Sequence, residues 1–340
     1  MSILMGIVLA AISVHAGAPA TILEARIEAR AGTTPAAALA EVARDKGETW
    51  VGWSVPALPK AAETCCFDQR FKRSGCSLGE GKDSWGTTSQ DVRLGPDELY
   101  VLVRTTGGAP SRVRMVSPTC LVHGGDRRLI WLGAVDAGAS IATLEKLLDA
   151  RAEEVSDGAM AALAFHADPR ADAPIERRAL DRSASKEDRQ QAMFWAANAR
   201  GPSGYRLVER ILSSDPSGEI REHAVFALTQ SEVPEAPERI RRVSVEDKDA
   251  EVRAKALFWL AQTQDEGAGK WIVSRLDAEQ SEHVREQAVF ALSQLEDGTD
   301  WLLDIVRSKR DVETKRRALF WLGQSEDPRA LTEIEKILDK

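Results

Sequence analysis

The strongest constraint on this chain is an internal repeat. Five segments align without gaps: SKEDRQQAMFWAAN (185–198), SGEIREHAVFALTQ (217–230), DAEVRAKALFWLAQ (249–262), SEHVREQAVFALSQ (281–294) and DVETKRRALFWLGQ (311–324). Their shared alanines, Ala192, Ala224, Ala256, Ala288 and Ala318, are spaced 32, 32, 32 and 30 residues apart. A weaker copy, SDGAMAALAFH (156–166), precedes them. Each of the five opens on Ser or Asp, a side chain that accepts from the free N–H groups of a first helical turn. After each comes a break and a second apolar-periodic segment, such as YRLVERIL (205–212), KWIVSRL (270–276), WLLDIV (301–306) or ALTEIEKIL (330–338). Two helices in about 32 residues make an αα-hairpin, which cannot bury its apolar face alone and must stack on its neighbours. The expected fold is an all-α superhelical solenoid over residues 137–340, with about six repeats.

The pattern D-x-x-V-R-x-x-A-x-x-x-L-(A/G), complete in Asp249 to Ala261, resembles the HEAT repeats. In particular it is similar to the short bacterial type also found in phycobilisome lyase subunits. The resemblance covers roughly residues 140–340 and implies an armadillo-like αα-hairpin stack, while a surface that holds a protein or peptide partner is a separate expectation. The stretch WVGWSVPALP, followed by Cys65-Cys66-Phe67, resembles the N-terminal part of exported bacterial HEAT-repeat proteins. Neither resemblance specifies a reaction, because a fold does not carry a function by itself.

At about 100° per residue, with Val252 taken as zero, Trp259 falls near 340°, Ala256 near 40° and Leu260 near 80°, which makes one core stripe. Phe258 falls near 240° and Gln262 near 280°, on roughly the opposite side. The pair recurs as Phe226/Gln230, Phe290/Gln294 and Phe320/Gln324, with Phe194/Asn198 as a variant. Two readings stay open for Phe194, Phe226, Phe258, Phe290 and Phe320. They form an inter-repeat core, or, with Gln230, Gln262, Gln294 and Gln324, they form a partner-binding face. In that second case aromatics grip side chains and amides bond to an extended backbone. The Trp position alternates as Trp195, Ala227, Trp259, Ala291 and Trp321. Large against small on adjacent layers fills an interior, so these tryptophans are expected to be structural, with Trp259 packing toward Ala227 or Ala291. Arg221, Arg253 and Arg285 recur with Arg189 and Lys315, and are expected to pair with an acid of a neighbouring repeat.

Residues 20–135 read as a small α+β domain. A helix is expected over 34–45 and strands over 50–57, 99–105, 112–117 and 128–132, with antiparallel pairing. Ala20 to Arg30 fits a strand or a short helix, and residues 60–97 are expected to be loop. Cys65, Cys66, Cys76 and Cys120 are the only cysteines and all lie in this region. An even number in a small segment suggests two disulfides in an oxidising compartment. A bridge between the adjacent Cys65 and Cys66 is disfavoured, so each would bond to Cys76 or Cys120. The rival is a zinc site completed by His123 of Cys120-Leu-Val-His123.

Ile3 to Val14 is an apolar run of 12 residues, shorter than the roughly 20 that span a bilayer. It fits a signal peptide over residues 1–16, with small residues before Gly17, although no basic residue precedes it. The other reading is a buried N-terminal helix or strand. Export to the periplasm or outside the cell is the expectation, and a cytoplasmic location follows if the run is retained. Formal net charge is −8. All the excess acid lies after residue 140, a balance that repels phosphate backbones and argues against nucleic acid.

HEAT-like folds include the di-iron deoxyhypusine hydroxylases, which use His-Glu dipeptides at equivalent helix positions. This chain contains no His-Glu dipeptide. There is no GxSxG and no GxxxxGK[ST] either. The expectation is therefore a non-enzymatic, exported binding or scaffolding protein without catalytic residues, metal or cofactor. The alternative is an intracellular regulatory or lyase-type subunit that acts on a partner protein.

Overall fold

The computed structural model describes residues 19–68, 73–79, 83–87, 97–263 and 265–338. The apolar run 3–14 and the expected cleavage after Ala16 lie outside the described residues. Two compact units divide between Ala173 and Pro174, later than the change in sequence texture at Ala137.

The first unit begins with β1 (Ile22–Leu23), β2 (Arg26–Ala29), α1 (Pro35–Val42) and β3 (Glu48–Pro56). Thr34 caps α1 by accepting from Ala37 N–H, and Pro35 sits in its first turn. Then come β4 (Thr64–Asp68), β5 (Arg73–Ser74), β6 (Cys76–Ser77), β7 (Asp83–Thr87), β8 (Glu98–Thr106), β9 (Ala109–Val116), β10 (Val122–His123) and β11 (Arg128–Ala134), followed by α2 (Ala137–Leu147) and α3 (Glu153–Phe165). The main sheet has the order β2-β11-β3-β8-β9. Pairing along β3, β8 and β9 is antiparallel, as expected, but β11 is parallel to both β2 and β3. The cause is the connection: α1 carries the chain over between two parallel strands, and β11 inserts between them.

Trp50, Val51, Trp53 and Val55 of β3 are all fully buried. A continuous apolar strand of this kind belongs in the middle of a sheet covered on both faces. Trp53 Nε1 donates to Ser140 Oγ on α2 at 3.0 Å. Helix α3 lies directly on β9. A Cβ at Gly158 would sit 2.1 Å from the Val113 carbonyl oxygen, so only glycine permits that approach.

The described residues between 60 and 97 hold short strands where loop was expected. Strand β4 pairs antiparallel with β5 and β7, while β6 joins β10 and β1 in a small parallel sheet. The cysteines pair as Cys65–Cys120 and Cys66–Cys76, so the adjacent cysteines go to different partners.

In the second unit, after α4 (Asp172–Leu180), which spans the division, five hairpins follow. Their first helices are α5 (Lys186–Ala199), α7 (Gly218–Thr229), α9 (Ala250–Gln262), α11 (Glu282–Ser293) and α13 (Val312–Gly323). Their second helices are α6 (Gly201–Ser214), α8 (Ala236–Glu246), α10 (Ala268–Ala278), α12 (Gly298–Arg307) and α14 (Pro328–Leu338). The weaker sequence copy 156–166 falls in α3, which packs on the sheet instead. Ser185, Ser217, Asp249, Ser281 and Asp311 each cap the first helix of their hairpin by side-chain acceptance. The five shared alanines are completely buried. They mark where each first helix meets its neighbours, and a larger side chain there would force the layers apart. First helices pack extensively on one another, whereas second helices pack mainly on first helices. Hairpin α5–α6 is drawn so tight that a Cβ at Gly204 would lie 1.9 Å from the Ala196 carbonyl oxygen.

Candidate functional site

The five first helices carry an unbroken row of rings. Trp195 meets Phe194 edge-on at 5.0 Å, and Phe194 stacks on Phe226 at 6.1 Å. Phe226 meets Trp259 at 4.7 Å, Trp259 meets Phe258 at 5.0 Å, and Phe258 stacks on Phe290 at 5.7 Å and 5°. Phe290 then meets Trp321 at 4.7 Å, and Trp321 meets Phe320 at 5.1 Å. The alternation of Trp with Ala builds this row. A repeat bearing Trp turns its Phe onto the next Phe, and the repeat bearing Ala leaves its own Phe open to the following Trp.

The tryptophans pack within this row, and Trp259 meets Phe226, the residue next to Ala227. Trp195, Trp259 and Trp321 are half-buried, and their partners are phenylalanines of the same and preceding repeats. The helical wheel separated Trp259 from Phe258, but long aromatic side chains on adjacent residues span that angle and touch. Phe194, Phe226, Phe258 and Phe290 are half-buried, so each both packs and presents surface. Phe320, the last ring of the row, is 58% exposed.

The amides sit one turn further on, at the C-terminal ends of the same helices. Gln230 and Gln294 donate through Nε2 to the hydroxyls of Thr229 and Ser293, both at 3.0 Å. Gln262, Gln294 and Gln324 are exposed and Gln230 is half-buried. In four of the five repeats the glutamine stands four residues after the phenylalanine, and in the first repeat Asn198 takes its place. Sequence reasoning missed His223 as a member of the row: its ring meets Phe226 edge-on at 5.3 Å. Burial holds its imidazole below the ordinary histidine value, against a hydrogen bond to the Gln190 backbone that works the other way. Its place one turn before Phe226 on the same helix face is the signal that could have found it.

A second ladder holds the layers together. Arg189 pairs with Asp215 and donates to the Ala179 carbonyl at 2.9 Å. Arg221 pairs with Asp247 and also donates to the Asp215 carbonyl at 2.9 Å. Arg253 makes two 3.1 Å bonds to Glu279 and reaches the Asp247 carbonyl at 2.9 Å. Arg285 donates to the Glu279 carbonyl at 3.2 Å. The acids serve twice, since Asp215, Asp247 and Glu279 also accept from the N–H of Ser217, Asp249 and Ser281 at 2.9 Å. Arg189, Arg221 and Arg253 thus tie their repeats to the turn that opens the next, whereas Arg285 bonds to the turn that opens its own repeat and not, as expected, to an acid of a neighbour. A cleft of about 480 Å³ opens at the ends of α6 and α8, with Arg221, Asp247, Arg239 and Lys248 in its wall. Arg221 is engaged there by Asp247, and Arg239 by Glu209 at 2.6 Å.

No helix of the described residues is long and apolar enough to cross a membrane. Residues 205–293 match the family model for HEAT repeats, and residues 314–340 match the model for the PBS lyase HEAT-like repeat. No curated protein matches the chain. Among solved structures, human deoxyhypusine hydroxylase in complex with glycerol is similar over 59% of this chain and 79% of its own, at 18% identity and a TM-score of 0.26. The complex of CpcE and CpcF of phycocyanin lyase from Nostoc sp. PCC7120 is similar over 60% of this chain and 82% of its own, at 17% identity and a TM-score of 0.28. The expectation of a non-enzymatic chain is corrected by the match at 314–340, whose repeat model is described by a lyase, and that reading is withdrawn. Residues 205–293 are thus similar to HEAT repeats and residues 314–340 to the PBS lyase HEAT-like repeat.

Proposed function

We propose that this chain is a lyase-type HEAT-repeat subunit that acts on a partner protein, which it grips along the ring row of its first helices. One observation carries the reading: eight rings from five repeats form a continuous strip that is only half-buried. Aromatic surface left partly open at a regular spacing suits contact with another polypeptide, because rings bury much area at little conformational cost. The exposed amides of Gln262, Gln294 and Gln324 flank the strip and can both donate to and accept from a partner backbone. The repeat model at 314–340 supports the lyase-type assignment.

The test is co-purification of the tagged chain from its own cells, as wild type and as the variants Phe320→Ser and Phe258→Ser/Phe290→Ser. A specific partner should be retained by the wild type and lost or strongly reduced with both variants while the melting curves stay cooperative. The intact mass of that partner is then compared between cells with and without this chain, and lyase-type action predicts a difference. Unchanged partner recovery with both variants would remove the ring row from the reading.

The compartment is a separate proposal. All four cysteines are bridged, and such bridges persist in oxidising surroundings. The natural protein should then lack about 16 N-terminal residues and be about 4 Da lighter than its fully reduced form, as the signal-peptide and two-disulfide readings require. An intact mass showing a retained N-terminus and four free thiols would overturn it.

A further inference from the structure

The geometry points to a thiol–disulfide exchange site in the first unit, where reduction of one bridge relocates the other. This activity is independent of the partner-binding reading. The two bridges are in contact: Cys76 Sγ lies 3.7 Å from Cys120 Sγ, although these two are not bonded to each other. The sulfurs of Cys65, Cys76 and Cys120 all lie within 4.8 Å of one another. Cys65 is the most exposed of the four residues at 8%, against 4% for Cys120, 1% for Cys76 and none for Cys66. The Cys65–Cys120 bridge is therefore the one proposed to meet a reagent first, since its residues are slightly less buried than Cys66 and Cys76.

The inner bridge is prepared to give way. Arg114 Nη1 donates to Cys66 Sγ at 3.2 Å, and the Cys66 N–H donates to Cys76 Sγ at 3.2 Å. A guanidinium at hydrogen-bond distance favours the thiolate, and a sulfur that holds negative charge more easily leaves faster. Cys66 is thus the better leaving group of the inner pair, and Cys76 is the sulfur to be attacked.

The steps balance with an external dithiol as reductant. One thiolate of the dithiol attacks Cys65 Sγ, and the Cys65–Cys120 bond breaks with its electron pair on Cys120. The second thiol of the reagent then displaces Cys65, and the reagent leaves as a disulfide. The Cys120 thiolate attacks Cys76 Sγ, the Cys76–Cys120 bond forms, and Cys66 departs as a thiolate beside Arg114. Two electrons have passed from the dithiol to the protein. The protein keeps one bridge, now Cys76–Cys120, and presents Cys65 and Cys66 as adjacent thiols on β4, with the thiol protons of the reagent shared between them and solvent.

Two experiments on the full chain test this. The Cys65→Ser variant leaves Cys120 without its partner and needs no reductant. After acid quenching, alkylation and peptide mapping, it should show the Cys76–Cys120 bridge with Cys66 alkylated in a substantial fraction of molecules. Cys66–Cys76 as the sole bridge, with Cys120 alkylated at every time, would overturn the proposal. Adding Arg114→Met to that variant should slow the exchange by roughly threefold or more, since the leaving thiol loses its cation, and an unchanged rate would overturn the role of Arg114. The wild type decides the matter if the variant does not fold. With less than one equivalent of dithiothreitol, the singly reduced species should be alkylated at Cys65 and Cys66, and alkylation at Cys65 and Cys120 would overturn the proposal.

Discussion

Arg221 closes a two-point ion pair on Asp247 of the next repeat, Nε to Oδ2 at 2.8 Å and Nη2 to Oδ1 at 2.9 Å. Both side chains are more than nine-tenths buried. Removing one partner from such a pair leaves an uncompensated charge in the interior. Asp247→Ala should cost about 3–5 kcal/mol in urea unfolding. The double variant Arg221→Met/Asp247→Ala should lose clearly less than the sum of its singles, and additive losses would show that the pair is not coupled.

The same ladder sets an acid limit on stability. Burial pushes the carboxyls of Asp215, Asp247 and Glu279 up, but hydrogen bonds and charge from Arg189, Arg221 and Arg253 more than offset it. All three end below the usual carboxylate values. A folded value below the unfolded one means that the folded state binds protons less readily. The stabilisation is complete above the unfolded values of about 4 and is lost as pH falls through the folded ones. Thermal midpoints measured from about pH 6 down to about pH 3 should hold nearly level to about pH 5 and then fall. In Asp247→Asn that acid-side fall should be shallower.

The α5–α6 corner leaves no room for a methyl group at Gly204. The neighbouring atom is the backbone carbonyl of Ala196, which cannot swing aside as a side chain would. Gly204→Ala should destabilise by about 1–3 kcal/mol despite the better helix propensity of alanine. A variant as stable as wild type, or more so, would mean that the corner relaxes freely.

In the first unit, Ser140 is the hydrogen-bond acceptor for the fully buried indole N–H of Trp53. Ser140→Ala removes the acceptor and keeps the volume nearly constant. The expected cost is about 1–3 kcal/mol from the stranded donor, together with a change in tryptophan fluorescence. Substitution without loss would place another acceptor within reach of Trp53.

The helical unit is largely legible in the sequence. The caps at Ser185, Ser217, Asp249, Ser281 and Asp311, the buried alanines and the pairing of Arg189, Arg221 and Arg253 with acids follow from residue type at a fixed period. The ring row was only half legible. Phe226 and Trp259 could be named, but a wheel treats one helix at a time, and the contact that joins these two rings lies between helices. In the N-terminal part, β3 was clear from its continuous apolar run, whereas the short strands β4 to β7 were not, because segments of two to five residues carry too little periodicity.

The sequence by itself determined the period of the hairpins, their caps and their buried alanine positions, because each repeat presents the same residue types at the same spacing. Only the tertiary structure decided which cysteine bonds to which, that β11 lies between two parallel strands, and that Phe194, Phe226, Phe258 and Phe290 both pack and face outward. Those outcomes depend on contacts between segments far apart in the chain, and their energies come from distance and burial that no local pattern of residues encodes.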